Sequence, residues 1–287
     1  MNLPEDTAVV SQIDENSSGM SRRSFFTRAT IAGATSAVAL TGFLSLGSAL
    51  GQEENSANSK NGAWAKKRDQ DILVAAEIAE ALAVTTYSNI INIAPFFPRL
   101  PLDDQGYLVA ARQEEMSHYL LEQSVTDVGS PFTSFFYPHD MFADAQTTLN
   151  TLVTLEDAFI AAYLVGVRDF STSDLRVTAA RIMGIESDHR TLARVLGPDV
   201  AAQDGGPIEK ITGFQGTAES VDPPNNNGYE RTLCWTKIEQ AVQALLPFVE
   251  LSAAKAAGFD TSKSYPFESF TPTLPSALGE FISFKGC

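Results

Sequence analysis

The chain has 287 residues and a formal net charge of −15, from 35 acidic against 20 basic residues. So large an acidic excess argues against nucleic acid or an anionic membrane surface as partner. The two cysteines, Cys234 and Cys287, form no Cys-x-x-Cys and leave no thiolate zinc or rubredoxin-type site, while a 44% hydrophobic content suffices for a sizeable core.

Residues 1–20 are polar. Arg22 and Arg23 then precede Phe25 and Phe26, and a run from Ile31 to Leu50 follows, rich in Ala, Gly, Ser and Thr. This resembles a twin-arginine export signal. The run is weakly hydrophobic for a spanning helix, and Gly47-Ser48-Ala49 offers a small-residue cleavage site. Residues 1–50 are therefore expected to be a signal region read by the twin-arginine export machinery, a route that carries folded cargo. The mature protein is expected in the periplasm or otherwise outside the cytoplasm. In such an oxidising compartment Cys234 and Cys287 can pair. Residues 51–67 read as a polar linker.

A helical pattern runs from Arg68 to Ile93 and is stopped by Pro95 and Pro98. Its stripe is Leu73, Ala76, Glu80, Ala83, Tyr87 and Ile90, with one carboxylate where an apolar residue belongs. Glu77, three residues earlier, lies off this stripe. A second helix, capped by Asp103 and ending near Gly129, carries Leu108, Ala111, Leu121 and Val125 on a stripe interrupted by Glu115 and His118. Residues 129–140 hold two prolines and four aromatics and cannot be a regular helix; His139 reads there as a surface or turn residue. A third helix, from Ala143 to Val167, has the stripe Leu149, Leu152, Glu156, Ile160, Tyr163 and Val167. The fourth, to Leu196, has Leu175, Ala179, Ile182, Ala193 and Leu196, interrupted by Glu186 and His189.

Glu-x-x-His thus occurs twice, taking two of the three histidines, and a spacing of three points both side chains the same way from a helix. Buried ionisable groups are costly unless paired or coordinated, and a dication serves both at once. The halves also match in order: Glu80, Tyr87 at plus seven, then Glu115-x-x-His118; Glu156, Tyr163 at plus seven, then Glu186-x-x-His189. Short loops within each half and a long connection between them describe two antiparallel hairpins joined by one crossover, the ferritin-like arrangement. Four carboxylates and two imidazoles at mid-bundle are the ligand set of a dinuclear iron or manganese centre. Residues 197–229 form a Gly-, Pro- and Asn-rich excursion. A fifth helix is expected from Arg231 to Ala257, and an aromatic, proline-punctuated tail from Ser264 wraps onto the bundle.

These residues resemble the ferritin-like superfamily, and more narrowly its exported, desiccation-related group. DILVAAEIAEALAVTTY is similar to that group's opening helix and LEDAFIAAYLVG to its third, and the resemblance spans Asp69 to Leu196. It implies an all-α four-helix bundle at 68–197, with residues 198–287 packed on it as a helical and irregular extension. It implies that Glu80, Glu115, His118, Glu156, Glu186 and His189 hold two metal ions, Glu115 and Glu186 bridging. Tyr87 and Tyr163 would stand behind them and hydrogen-bond ligand carboxylates. The fold alone does not choose a reaction. One expectation is a dimetal oxidoreductase acting on dioxygen or peroxide, as a ferroxidase or a catalase-like dismutase. The other is a non-catalytic metal-binding or stress-protective protein. The absence of an electron-transfer domain disfavours a rubrerythrin-like peroxidase, and the long C-terminal third disfavours a storage cage.

Overall fold

A computed structural model describes residues 57–199 and 233–273. The export-signal region at 1–50, the excursion at 200–229 and Cys287 lie outside the described residues; Cys234 is exposed. Four long helices build the bundle: α1 Ala57–Ile93, α2 Leu102–Thr126, α3 Ala145–Asp169 and α4 Ser173–Asp199. Helix α1 begins at Ala57, inside the stretch expected as a linker. That stretch is polar but contains no proline, and Ala and Lys propagate a helix well once it is nucleated.

Helix α2 is not capped by Asp103. Pro101 takes the N-cap place without a side-chain cap, and Asp103 and Asp104 fall in the first turn, where negative charge meets the free N–H groups. Asp144 does cap α3, its carboxylate accepting the Thr147 N–H at 2.7 Å. Helix α3 is buried on more than one stripe. By length and mean hydropathy it could cross a membrane, yet 78% of its most apolar window is covered by the rest of the protein, as α1, α4 and a further helix pack around it. An all-round apolar helix belongs at the centre of a bundle.

Side-chain pairs fix the directions. Tyr87 on α1 bonds Glu156 on α3 while Glu80 meets Tyr163, so α1 and α3 run antiparallel. Glu77 meets Thr126 and Glu80 lies near His118, so α1 and α2 are antiparallel too. Helices α2 and α3 are therefore parallel, and the chain between them must travel the bundle length, about 37 Å for 25 residues.

On that crossover lies β1, Ser134–Pro138, which pairs antiparallel with β2, Phe259–Pro266. Neither segment is expected as a strand from its sequence. The expected fifth helix is two shorter ones, α5 Ile238–Val249 and α6 Leu251–Ala257, separated by an extended Glu250. Pro247 is the reason: it supplies no N–H and its ring crowds the preceding turn, so the helix ends within a few residues. Tyr137 of β1 packs edge-on against Phe142, Phe248 and Tyr265. The Thr86 hydroxyl donates to the Leu82 carbonyl, leaving Tyr137 to donate to Thr86 at 3.1 Å. This aromatic group pins the crossover to α1.

Candidate metal centre

The buried core is split into two apolar clusters, one around Leu82, Ile90 and Phe248, the other around Ile72, Phe170 and Ile182. Ionisable side chains lie between them. Glu80, Glu115, His118 and Glu186 bring one ligand atom each within 4.8 Å of one another, and so do Glu115, Glu156, Glu186 and His189. All six are buried, and Glu115 and Glu186 belong to both groups. The helices explain the placement: Glu115 and His118 lie one turn apart on α2, Glu186 and His189 on α4, while α1 and α3 each contribute a single carboxylate. Glu77 is in neither group. It is nevertheless fully buried, off the expected stripe, and accepts a hydrogen bond from Thr126. His139 is exposed in the turn after β1.

Most polar atoms turned inward lack hydrogen-bond partners: Oε2 of Glu80 and Glu156, both oxygens of Glu115 and Glu186, and Nδ1 of both histidines. Close approaches exist, with His118 Nδ1 at 3.2 Å from Glu186 and His189 Nδ1 at 2.8 Å from Glu115, but they lack hydrogen-bond alignment. Buried acids and imidazoles left in this state are costly. Burial, reinforced by Glu115 and Glu186, holds Glu80 and Glu156 well above the usual carboxylate range. Burial alone would lower His118 and His189, yet the surrounding carboxylates outweigh it and raise both. At Glu115 the two histidines overcome burial and hold the carboxyl low. Protons are thus spread over a cluster whose donor set, carboxylate oxygen and imidazole nitrogen, suits a transition metal. Two divalent cations would match the charge of its four carboxylates. The residues fit such a group.

Outer partners orient three of the six, Glu80, Glu156 and His189. Tyr87 donates to Glu156 at 2.8 Å and Tyr163 donates to Glu80, each crossing to the other half's carboxylate. Burial, with the carboxylates nearby, keeps both phenols well above their usual range, so they remain neutral donors. Three further carboxylates are wholly or partly covered by the fold: Glu77 is the flank residue already noted in the sequence, whereas Glu114 and Glu122 are not expected from it. Glu114 lies 2.8 Å from His189 Nε2; this partner sets the tautomer, with Nε2–H donating and Nδ1 free to coordinate. That hydrogen bond holds Glu114 below the usual carboxylate range. Leu121 and Val125 were expected on the α2 stripe, but Leu121 is half-buried and Val125 exposed, and Glu122 is the buried residue. The signal was present: Ala111, Glu115, His118 and Glu122 continue the alternation of four and three.

A four-helix bundle carrying a buried cluster of carboxylates and histidines that could bind metal is the class this geometry defines. Residues 68–197 match the family model described as a ferritin-like domain, and the described architecture agrees, so this segment is a ferritin-like bundle. No curated protein and no solved structure matched the chain.

Proposed function

We propose that the cluster would hold two iron or manganese ions, with Glu80 and His118 available to one, Glu156 and His189 to the other, and Glu115 and Glu186 to both. The observation that carries this reading is the sharing of those two carboxylates between two overlapping ligand groups. Such a pair would exchange electrons with dioxygen or peroxide, in ferroxidase or catalase-like chemistry. The chain's part is to fix the ligands: Tyr87 and Tyr163 hold one oxygen of Glu156 and Glu80, and Glu114 holds His189. The apolar clusters at either side exclude water. Metal analysis of the purified protein should find two ions per chain, and the same sample should consume peroxide or oxidise ferrous iron until chelated. Two bound ions without either activity would favour the non-catalytic, stress-protective reading; absence of metal after loading would defeat both.

We also propose that Arg22 and Arg23 direct export through the twin-arginine machinery, which would bring the protein close to the exported, desiccation-related group. Replacing both by Lys should leave precursor in the cytoplasm on fractionation. Undiminished export of the double variant would refute the assignment.

A further inference from the structure

A pocket of about 30 Å³ opens among all four bundle helices, between Leu73 on α1, Leu121 on α2, Phe159 on α3 and Ile182 on α4. Helix directions fix where it lies. Arg190 meets Asp157 while Arg176 meets the Phe170 carbonyl, so α4 runs antiparallel to α3 and parallel to α1. On α1 the wall residue Ala76 precedes Glu80 by four, and on α4 Ile182 precedes Glu186 by four. On α2 and α3, which run the opposite way, Glu122 follows His118 by four and Phe159 follows Glu156 by three. A helical turn rises about 5.4 Å. All four helices therefore set the pocket on the same side of the ligand layer, one turn from it. Exposed Val125 and half-buried Leu175 mark its outer end.

Alanine makes the space. Ala76, Ala79, Ala162 and Ala179 all stand in the wall. Larger side chains there would close the void and gain the dispersion contacts that an empty space forfeits. The wall also decides the guest. Its polar side chains among the described residues are Glu122, Tyr163 and Thr178, and the Tyr163 hydroxyl is already engaged with Glu80 and Glu122. Water or peroxide entering this space would exchange the hydrogen bonds of solution for very few. A molecule with no polar hydrogen has none to lose. Size narrows the choice further. A water-sized molecule needs roughly 10–15 Å³ of such space, whereas roughly 150 Å³ admits benzene. A diatomic gas fits a pocket of about 30 Å³, and an aromatic ring does not.

The geometry points to a binding site for a small apolar gas, through which dioxygen reaches the metal centre along the bundle axis. The apolar wall turns away water and peroxide, while dioxygen, which dissolves better in apolar surroundings than in water, passes. This use of the site rests on the redox reading above and selects dioxygen over peroxide within it. The capacity to hold an apolar gas does not depend on that reading.

Xenon, an inert apolar atom that enters dry cavities, provides the test. It is titrated into the full protein, metal-free and loaded with Mn(II), while the methyl resonances of Leu73, Leu121 and Ile182 are followed. These should shift together and saturate. Ala162→Leu fills the pocket from a half-buried position and Ala179→Leu from a buried one. Whichever variant keeps its helicity and metal stoichiometry should lose the xenon shifts. Loaded with ferrous iron, it should react with dioxygen at least about tenfold more slowly than the parent, and with peroxide at the parent's rate. Unmoved methyl resonances in the parent, meaning a packing gap only, would overturn the inference. Equal slowing with both oxidants, or slowing with neither, would overturn the dioxygen route. If the parent takes up xenon but its iron form reacts with neither oxidant, the redox reading fails and the gas site stands.

Discussion

Replacing Glu186 by Ala is expected to abolish metal binding at both positions, because its carboxylate belongs to both ligand groups. The loss should exceed the roughly 10–100-fold typical of a missing outer partner. Glu80→Ala touches one group only and should leave one ion of two. Glu77→Ala touches neither and should leave the stoichiometry intact. Alanine favours the helix, so far-ultraviolet dichroism should be unchanged in all three. The Glu186 variant carries a second signature. Both of its oxygens are buried without hydrogen-bond partners, so the metal-free variant should melt no lower than the metal-free parent. A residue kept for stability would behave oppositely. Equal metal content in Glu186→Ala and Glu77→Ala would refute the shared-ligand assignment.

Metal-free protein should lose stability as pH rises, and metal should reverse the trend. Burial holds Glu77, Glu80, Glu122 and Glu156 above their ordinary value of 4.5. The carboxylates overcome burial to hold His118 and His189 above 6.5. Above those ordinary values the folded state binds more protons than the unfolded chain, so the stability these groups confer, complete at lower pH, drains away as pH climbs through their folded values. Glu115 works the other way: its contribution is present above 4.5 and is lost as pH falls toward its depressed folded value. Glu114, held low by its hydrogen bond to His189, acts like Glu115, and six groups against these two set a downward slope through neutrality. Metal takes the place of those protons, so its affinity rises with pH. At a metal concentration about a hundred times Kd the gain is about 2.7 kcal/mol, roughly 5 to 10 °C in melting temperature. The gap between loaded and metal-free melting curves should widen from about pH 5 to about pH 8. A gap that narrows over this range would show that protons and metal do not compete for the cluster.

The sequence by itself determined the bundle and the six inward residues, since each is a local property. A period of 3.6 reveals which face of a helix is buried, and a Glu or His on that face must have a partner. Glu80, Glu115, His118, Glu156, Glu186 and His189 are all such residues. Glu77, at the flank of its stripe, was beyond that logic: whether a flanking position is covered depends on the helix beside it, here α2 with Thr126. Glu122 lay on the pattern, and only the tertiary fold showed that Leu121 is half-buried and Val125 exposed while Glu122 is buried against Tyr163. Glu114 is identified only by the imidazole it meets across the helix pair. The β1–β2 pairing joins segments at 134–138 and 259–266, and so distant a match leaves no periodic trace in either. Helical faces can be read from neighbours along the chain, but contacts between elements exist only once the chain has folded.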